Sequence, residues 1–401
     1  MLPFGASSGF VTVTLAYQLT QSGLDALQVA TVVAADLLPQ TWKFLWAPIA
    51  DTTLSRKSWY GIGTTLTAAG IVACGLVPAA GSVVLLTPLV FLMSVGTTFL
   101  AMSVEALIAY NTANEVKGRA CGWFQAGNLG GSGLGGGAGL WMAQHLSAHW
   151  ISSATLGIAC LLCGAALFWI AEPAHARSIH TPDSAAGFRL ALRRQWSSLL
   201  GVLKDLWTLL RSRRGFLALL VVFLPIGTGA ASNLWAAVAD SWRASADTVA
   251  LVNGTLGGIA SAVGCLIGGY FCDRLDRKTA YLLFGASQAL CLVAMALAPR
   301  TEAMFMAFTM LYAVLNGMSY AGFSAVALET IGLSAAATQY NVYASLSNMP
   351  ILYMGLVEGW AYSQHGAAAM LYVEAAMAIV AILVFSSVSA ATSRRRPALA
   401  G

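Results

Sequence analysis

Three charged side chains stand inside stretches of the sequence that are otherwise apolar, namely Asp36, Lys43 and Glu105. An apolar environment raises the pKa of a carboxyl group, so that the group can bind and release a proton near neutral pH. Glu105 has apolar neighbours for several residues on either side, which makes it the first candidate for a proton carrier. Lys43 is suited to neutralise that carboxylate in one state, or to anchor a carboxylate or phosphate of a substrate.

Asp36 precedes Lys43 by seven residues, so their side chains lie on roughly the same face if this segment is a helix. Our hypothesis is that Asp36, Lys43 and Glu105 form a network along one side of a cavity. In this network Asp36 is a second proton-coupling residue and Lys43 a substrate-binding residue. The sequence leaves one alternative open, a structural ion pair between the second and fourth helices.

The composition of the chain indicates the environment of these charges. Of the 401 residues, 58% are hydrophobic and only 9% are charged, whereas about a quarter of the residues of a soluble domain are charged. The chain is therefore expected to be an integral membrane protein in contact with the lipid bilayer. Its net charge of +5 is distributed over short basic clusters between apolar segments, a pattern of membrane topology that argues against nucleic acid as a partner.

Twelve apolar segments are long enough to cross a bilayer, which takes about 20 residues of helix. We expect these helices near 2–20, 25–50, 59–79, 82–112, 119–147, 150–172, 214–238, 246–270, 279–298, 302–331, 335–363 and 368–390. The predicted fold class is an all-α membrane protein with two six-helix halves. The predicted divisions are 1–172 for the N-terminal half, 173–213 for a linker, 214–390 for the C-terminal half and 391–401 for a basic tail.

The linker is polar and basic, and its large apolar residues recur at helical spacing from Phe188 to Leu210. This pattern predicts a basic amphipathic helix that lies on the bilayer surface. Basic residues cluster in the linker, in the tail and in the loops after the even-numbered helices of each half. The positive-inside rule then places these loops and both termini in the cytoplasm.

The loops after the second and eighth predicted helices repeat one another. APIADTTLSRK at 47–57 and GGYFCDRLDRK at 268–278 both place an acid at a helix end, Asp51 and Asp273, before a basic pair. Positive-inside charge alone accounts for the bases but not for the repeated acid. Two six-helix halves of this kind bind their substrate near the bilayer midplane, at the interface between the halves.

The second of these loops resembles the signature loop of the major facilitator superfamily, G-x-x-x-D-R-x-G-R-R/K. The matching positions are Gly269, Asp273, Arg274, Arg277 and Lys278. Asp276 replaces the second glycine, and in the poorer first-half copy Ala47 replaces the first one. In that superfamily the loop holds the cytoplasmic gate shut, so the resemblance implies the same role for these residues and for their first-half counterparts, which are Asp51, Arg56 and Lys57.

Two further stretches resemble one branch of the superfamily, which contains the anhydromuropeptide permeases and the acetyl-coenzyme A transporters. They are KFLWAPIAD at 43–51 and ATQYNVYASLS at 337–347. Members of the branch often carry two acids on the fourth helix, whereas this chain keeps only Glu105 and has Ala101 at the earlier position. The resemblance implies transport of a large polar solute across the inner membrane of a bacterium. Anhydromuropeptide import comes first, with siderophores or acyl-coenzyme A as alternatives.

Polar and aromatic residues at corresponding depths predict the wall of a substrate cavity. They are Tyr17, Gln18, Asn128, Asn233, Trp235, Asn316, Tyr320 and Asn348. A glycine-rich break, PIGTGAAS, precedes Asn233 in the seventh helix. Glu329 lies near the cytoplasmic end of its helix and is either a gate contact or a substrate contact. Glu358 and Glu374 lie toward the outer ends of their helices, and we expect both at the membrane interface.

Other features exclude further classes of site. The glycines of GNLGGSGLGGGAG at 127–139 lack the lysine of a phosphate-binding loop. Positions 127, 131 and 135 predict a close helix crossing between the halves instead. No nucleophile–base pair, metal cluster or cofactor motif is evident, so we expect neither an enzyme nor a metal or cofactor site. The sequence predicts a monomeric, proton-coupled secondary transporter, and the rival is a membrane sensor or scaffold that transports nothing.

Overall fold

The apolar segments form helices because a backbone inside a bilayer must satisfy its own hydrogen bonds. The computed structural model describes residues 1–24, 26–77, 83–146, 148–170, 200–201, 204, 220, 222–330 and 336–394. Over these ranges the chain is helical and contains no strand. The predicted linker lies outside the described residues apart from three positions, and so does the end of the basic tail, so their structures stay predictions.

The N-terminal half contains six helices, three of which are interrupted. Their segments are Leu2–Gly9, Phe10–Leu15 and Ala16–Gln21 for α1; Ala26–Trp42, Lys43–Leu45 and Ala47–Thr52 for α2; Arg56–Leu76 for α3; Val83–Asn111 for α4; Lys117–Gly133, Leu134–Ala138 and Gly139–His145 for α5; and His149–Cys163 with Gly164–Phe168 for α6. The middle segments of α1 and α5 are π-helical turns, and that of α2 is a 3₁₀ turn.

The C-terminal half also contains six helices. Their segments are Ala230–Leu234, Trp235–Val238 and Ala239–Trp242 for α7; Ala246–Asn253 and Thr255–Cys272 for α8; Arg277–Leu297 for α9; Glu302–Thr330 for α10; Ala336–Leu346 for the first part of α11; and Asn348–Arg394, which continues α11 and forms α12 beyond its non-helical residue Gly366. The predicted all-α architecture of twelve helices is confirmed.

Helix interruptions explain why fewer than twelve segments are recognisable as membrane spans by length and composition alone. Within the described residues seven helices meet that criterion, and Val342–Ala390, which holds parts of both α11 and α12, counts as one of them. The helices that do not meet it are α1, α2, α5 and α7. Proline lies inside α2 at Pro39, and α7 follows two glycines with positive φ, Gly227 at 62° and Gly229 at 73°.

A glycine-lined contact between α5 and α8 joins the two halves. A Cβ atom added to Gly133 would lie 2.7 Å from the Cα atom of Gly258, and one added to Gly122 would lie 2.6 Å from the carbonyl oxygen of Cys265. Both distances are shorter than any normal carbon contact, so the two backbones touch directly. We call this contact the α5–α8 seam.

The glycine stripe at 127, 131 and 135 is a close crossing as predicted, but it faces a different helix. An added Cβ atom would lie 2.6 Å from the carbonyl oxygen of Leu2 at Gly131 and 2.0 Å from that of Ala6 at Gly135. Both partners belong to α1, within the same half. The expectation that this stripe lies between the halves is therefore wrong. Several faces of α5 carry glycines, and the sequence alone did not identify which of them faces α8.

Candidate functional site

The interruption of α2 places a lysine against the acid of α4. Lys43 begins the 3₁₀ turn Lys43–Leu45, and its Nζ atom lies 3.5 Å from Oε1 of Glu105. The side chains are only 8% and 3% exposed, respectively. Because burial removes both groups from water, each needs the charge of the other. Two of the three predicted network residues therefore form a buried ion pair.

Asp36 lies apart from this pair, and the described residues show no ion pair between it and Lys43. It lies on the first segment of α2, is 2% exposed, and its carboxyl group faces the hydroxyl groups of Ser8 and Ser94. The Oγ atom of Ser94 also donates a hydrogen bond of 2.6 Å to the carbonyl oxygen of Asp36. The predicted three-residue network is thus divided into an ion pair and a separate carboxyl group among hydroxyls.

A chain of hydrogen bonds crosses from one half to the other. Asn128 donates through Nδ2 to Oε1 of Gln125 at 3.0 Å, and Gln125 donates through Nε2 to Oγ of Ser324 at 2.7 Å. Tyr340 on α11 donates to the same Oγ atom at 3.2 Å and lies within electrostatic reach of Glu105. The predicted cavity residue Asn128 thereby connects α5 with α10 and α11.

Sequence reasoning missed three members of this chain of hydrogen bonds, Gln125, Ser324 and Tyr340. A signal was present for two of them. Gln125 and Asn128 are three residues apart in GWFQAGN, and Tyr340 stands inside the stretch ATQYNVYASLS. Ser324 carries no such signal, because a single serine in an apolar helix is common.

The C-terminal half contains a cavity of about 60 Å³ beside the break that precedes α7. Of the predicted cavity residues, Tyr320 and Asn348 line it. The lining residues missed from the sequence include Thr228, Ser319 and Ser347. A volume of this size holds one or a few water molecules rather than a large solute.

The remaining predicted cavity residues of the C-terminal half lie elsewhere. Trp235 is buried in the core, in edge-to-face contact with Tyr312 and Phe305, and its place in the wall of a substrate cavity stays a prediction. Asn233 is exposed on α7. Asn316 packs against Gly229, where an added Cβ atom would lie 2.4 Å from its Oδ1 atom.

Tyr17 and Gln18 lie on the last segment of α1, directly after its π-helical turn. Both side chains are partly buried. The Nε2 atom of Gln18 is buried without a hydrogen-bond partner among the described residues. A buried amide donor of this kind is a group that a polar ligand or water molecule can satisfy.

The signature loop of the C-terminal half binds the other half through its acid. Oδ1 of Asp273, at the end of α8, accepts a hydrogen bond of 2.6 Å from the backbone nitrogen of Gly118. Oδ2 accepts bonds from the backbone nitrogen and Nε of Arg119, at 3.1 and 2.9 Å. These donors lie in the first turn of α5, where unpaired backbone N–H groups favour a negative charge. The structure thus places Asp273 across the α5–α8 seam.

The bases of the same loop have several partners. Arg277 contacts Glu329 at 3.6 Å and also donates to the carbonyl oxygen of Asn114. The guanidinium group of Arg274 lies 4.0 Å from the ring centroid of Tyr270.

Asp276 caps α9 by accepting a hydrogen bond of 3.0 Å from the backbone nitrogen of Thr279. This cap gives a structural reason for an acid where the superfamily pattern has glycine. Lys278 is partly buried in the first turn of α9.

The first-half copy of the loop makes its described contacts within its own half. Arg56 is buried and donates to the carbonyl oxygen of Ala50, while Lys57 donates through Nζ to the carbonyl oxygen of Leu167 at 2.9 Å. The side chain of Asp51 lies outside the described residues. The gate role predicted for these three residues stays a prediction.

Glu358 and Glu374 are buried rather than interfacial, so that expectation is wrong. Their exposed fractions are 0% and 3%. For Glu374 the physical reason is the break before α7, which leaves backbone N–H groups free inside the C-terminal half. Oε2 of Glu374 accepts from the nitrogen of Ala231 at 3.1 Å, and Oε1 accepts from the hydroxyl of Tyr312 at 2.7 Å. Nothing in the sequence indicates that α7 supplies donors to an acid on α12.

Within the described residues, no cluster of histidine, cysteine or acidic side chains could hold a metal ion. The pair Cys160 and Cys163 is not bonded.

Comparison with known proteins agrees with this architecture. The family model of the Major Facilitator Superfamily matches residues 1–352. The anhydromuropeptide permease of Escherichia coli K12 is 24% identical over 382 residues, which cover 91% of this chain and 72% of the permease. The corresponding permease of Escherichia coli O157:H7 matches equally well.

Three solved structures are similar in fold. The E. coli fucose:proton symporter FucP has a TM-score of 0.69 at 15% identity, covering 96% of both chains. The proton:xylose symporter XylE has a TM-score of 0.69 at 14% identity, covering 96% of this chain and 94% of its own. The human organic anion transporter MFSD10 has a TM-score of 0.66 at 15% identity, covering 96% and 97%. Because the family model spans most of the chain, the protein belongs to the Major Facilitator Superfamily of transporters.

Proposed function

We propose that this protein is a proton-coupled secondary transporter that imports a large polar solute, in the first instance an anhydromuropeptide, across a bacterial inner membrane by alternating access. The observation that carries the proposal is the buried ion pair of Lys43 and Glu105, 3.5 Å apart beside the interrupted α2. The distant similarity to anhydromuropeptide permeases supports the substrate class. We place both termini in the cytoplasm, following the positive-inside rule.

Coupling follows from the cost of an unbalanced buried charge. If Glu105 takes up a proton, Lys43 loses its counter-charge, and removing one partner of a buried pair costs about 3–5 kcal/mol. An anionic group of the substrate can supply the missing charge. A proton without substrate, or an anionic substrate without a proton, leaves one charge unbalanced. The pair therefore favours joint binding of proton and anionic substrate, which is the requirement for symport.

The substrate-binding surface extends from this pair into the interface between the halves. Tyr340 joins the neighbourhood of Glu105 to the hydrogen-bond chain through Ser324 and Gln125. Amide and hydroxyl groups in such a chain suit the hydroxyl and amide groups of a sugar–peptide. Substrate that binds here contacts both halves, so its binding affects how the halves pack.

The conformation has its signature-loop side closed. Asp273 bonds to the first turn of α5, and the first segment of α11, Ala336–Leu346, packs on the last segment of α2, Ala47–Thr52. With the termini in the cytoplasm, this is the state closed toward the cytoplasm. Arg277 and Glu329 then belong to the cytoplasmic gate.

The test is uptake of radiolabelled anhydromuropeptide into proteoliposomes, with and without an inward proton gradient. Wild type is compared with Glu105→Gln and with Glu115→Gln, whose side chain is exposed in the loop before α5. We expect the gradient to accelerate uptake by wild type and by Glu115→Gln. Glu105→Gln should lose that acceleration, because a neutral amide cannot exchange a proton.

Two results would contradict parts of the proposal separately. Gradient-driven uptake that survives in Glu105→Gln would remove Glu105 as the proton carrier but leave the substrate. An absence of anhydromuropeptide uptake in all three proteins would contradict the substrate, and the same assay with labelled siderophore and acyl-coenzyme A would then follow.

A further inference from the structure

A second pair of buried charged groups lies in the C-terminal half, far along the chain from Lys43 and Glu105. Glu358 on α11 and Glu374 on α12 each stand eight residues from Gly366, the residue with φ of 77° at which the chain reverses. At 1.5 Å per residue, both lie about 12 Å along their helices from that turn. The hairpin of α11 and α12 therefore brings the two carboxyl groups to the same depth.

Hydrogen bonds distinguish the two carboxyl groups. Glu374 accepts from Tyr312 at 2.7 Å, from the backbone nitrogen of Ala231 at 3.1 Å and from Thr228 at 3.4 Å. Glu358 is fully buried, and neither of its oxygens has a hydrogen-bond partner among the described residues. Its carboxyl group faces that of Glu374. Among the described residues, Glu374 is thus surrounded by donors, whereas Glu358 has none and faces the other acid.

The described groups that are known to face the pair are uncharged. Facing it are Tyr312 from α10, Cys291 from α9, and Thr228 with the backbone of Ala231 from α7. Within the described residues, neither Glu358 nor Glu374 forms an ion pair with a base, although three other pairs do form. Two adjacent buried carboxylates without a cation cannot both ionise, and such a pair shares a proton.

We propose that Glu358 and Glu374 form a second proton-binding site, separate from Glu105, in which one proton resides on Glu358. Glu374 is the anionic member because its three donors stabilise a carboxylate. Glu358 keeps the proton and directs it toward Glu374. The assignment rests on the geometry of the C-terminal half and holds whether or not Glu105 carries a proton.

The anion of this site is attached to the interrupted helix α7. Two of its three donors, Thr228 and the N–H of Ala231, belong to the break around Gly229. A negative charge is most favourable at such free N–H groups. If α7 moved away, Glu374 would lose these donors and its preference for the charged form. Movement of α7 therefore changes the proton affinity of the site, so the protonation of the site depends on the position of α7.

The test is infrared spectroscopy of the purified full-length protein in ¹H₂O and ²H₂O across neutral pH, which detects the carbonyl stretch of protonated carboxyl groups. The variants are Glu358→Gln, Glu374→Gln and the exposed control Glu115→Gln. We expect Glu358→Gln to lose the amplitude of one carboxyl group toward the alkaline end of this range, because Glu374 with its donors ionises there. Glu374→Gln should keep that amplitude, since the remaining buried glutamate stays protonated. Glu115→Gln should match wild type.

A spectrum of Glu358→Gln that retains the full wild-type amplitude would overturn the proposal. So would a loss of amplitude in Glu374→Gln, which would place the proton on the other residue. The spectrum of Glu374→Gln tests the proposal by itself, so the proposal stays testable even if Glu358→Gln does not fold. The readout needs neither substrate nor transport, so its failure is distinct from a failure of the uptake experiment.

Discussion

Asp273 of the C-terminal half holds Gly118 of the N-terminal half by a hydrogen bond of 2.6 Å between the carboxylate and a backbone nitrogen. The contact requires the absence of a side chain at position 118, since an added Cβ atom would lie 2.6 Å from Oδ1 of Asp273 and 2.6 Å from the carbonyl oxygen of Gly269. The hydrogen bond to Asp273 and the absence of a side chain at Gly118 thus depend on each other at the signature-loop end of the seam.

Replacing this acid by its amide should weaken the closed state. Asp273→Asn keeps the size of the side chain but removes the charge that favours the first turn of α5. We expect a loss of about 1–2 kcal/mol for the closed form, a change of roughly 5–30-fold in the populations. Pulsed electron spin resonance between spin labels at Thr112 and Leu275, in a background without native cysteines, measures it. The prediction fails if the distance distribution equals that of the labelled parent.

Filling the seam should separate the halves. Gly133→Ala places a methyl group 2.7 Å from the backbone of Gly258, and overpacking of this kind costs about 1–3 kcal/mol. We expect a lower melting temperature in detergent and slower uptake. The matched control is Gly355→Ala, because an added Cβ atom at Gly355 has no atom within 4 Å. Equal melting temperatures for the two variants would contradict direct backbone contact.

Removing the lysine of the buried pair should make stability depend on pH. Lys43→Met leaves Glu105 without that charge, and we expect a loss of about 3 kcal/mol at neutral pH. The folded variant then favours a protonated Glu105, whereas the unfolded chain does not hold this proton at neutral pH. Stability must therefore rise as the pH falls and be lost as the pH rises.

The double variant Lys43→Met/Glu105→Gln provides the control for this prediction. It contains neither charge, so its melting temperature should recover toward that of wild type and lose the added pH dependence. Melting curves at several pH values check both outcomes. A double variant as unstable as Lys43→Met would show that packing of the lysine stem, and not its charge, is responsible.

The break before α7 should not tolerate a side chain. Gly229 has φ of 73°, a conformation that costs an L-residue about 1–2 kcal/mol, and its Cβ position lies 2.4 Å from Asn316. We expect Gly229→Ala to destabilise the protein, and Gly229→Ala/Asn316→Ala to recover only the steric part. Thermal melts of both variants separate the two contributions. A full recovery would argue that the backbone conformation is not strained.

The sequence predicted the helices, and it singled out Lys43 and Glu105 as candidates, because both inferences depend on local signals. A bilayer permits few charges, so each buried one was conspicuous in an apolar segment. Prediction from the sequence failed where the environment of a residue depended on an element far away in the chain. Glu374 looked interfacial from its position on α12, and its burial is explained by donors far away in the chain, among them the N–H of Ala231 and the hydroxyl of Tyr312. Likewise the glycines of α5 predicted close approach but not which neighbour approaches.

The α5–α8 seam has a mechanical consequence. Interlocking side chains resist sliding, because each step requires neighbouring rotamers to change together. Where Gly133 meets Gly258 and Gly122 meets Cys265, the surfaces in contact are backbone, which has no rotamers to change. At these two points, one half can move along the other without a change of rotamer. Such a motion must also release Asp273 from its donors, so the signature-loop end of the seam resists it.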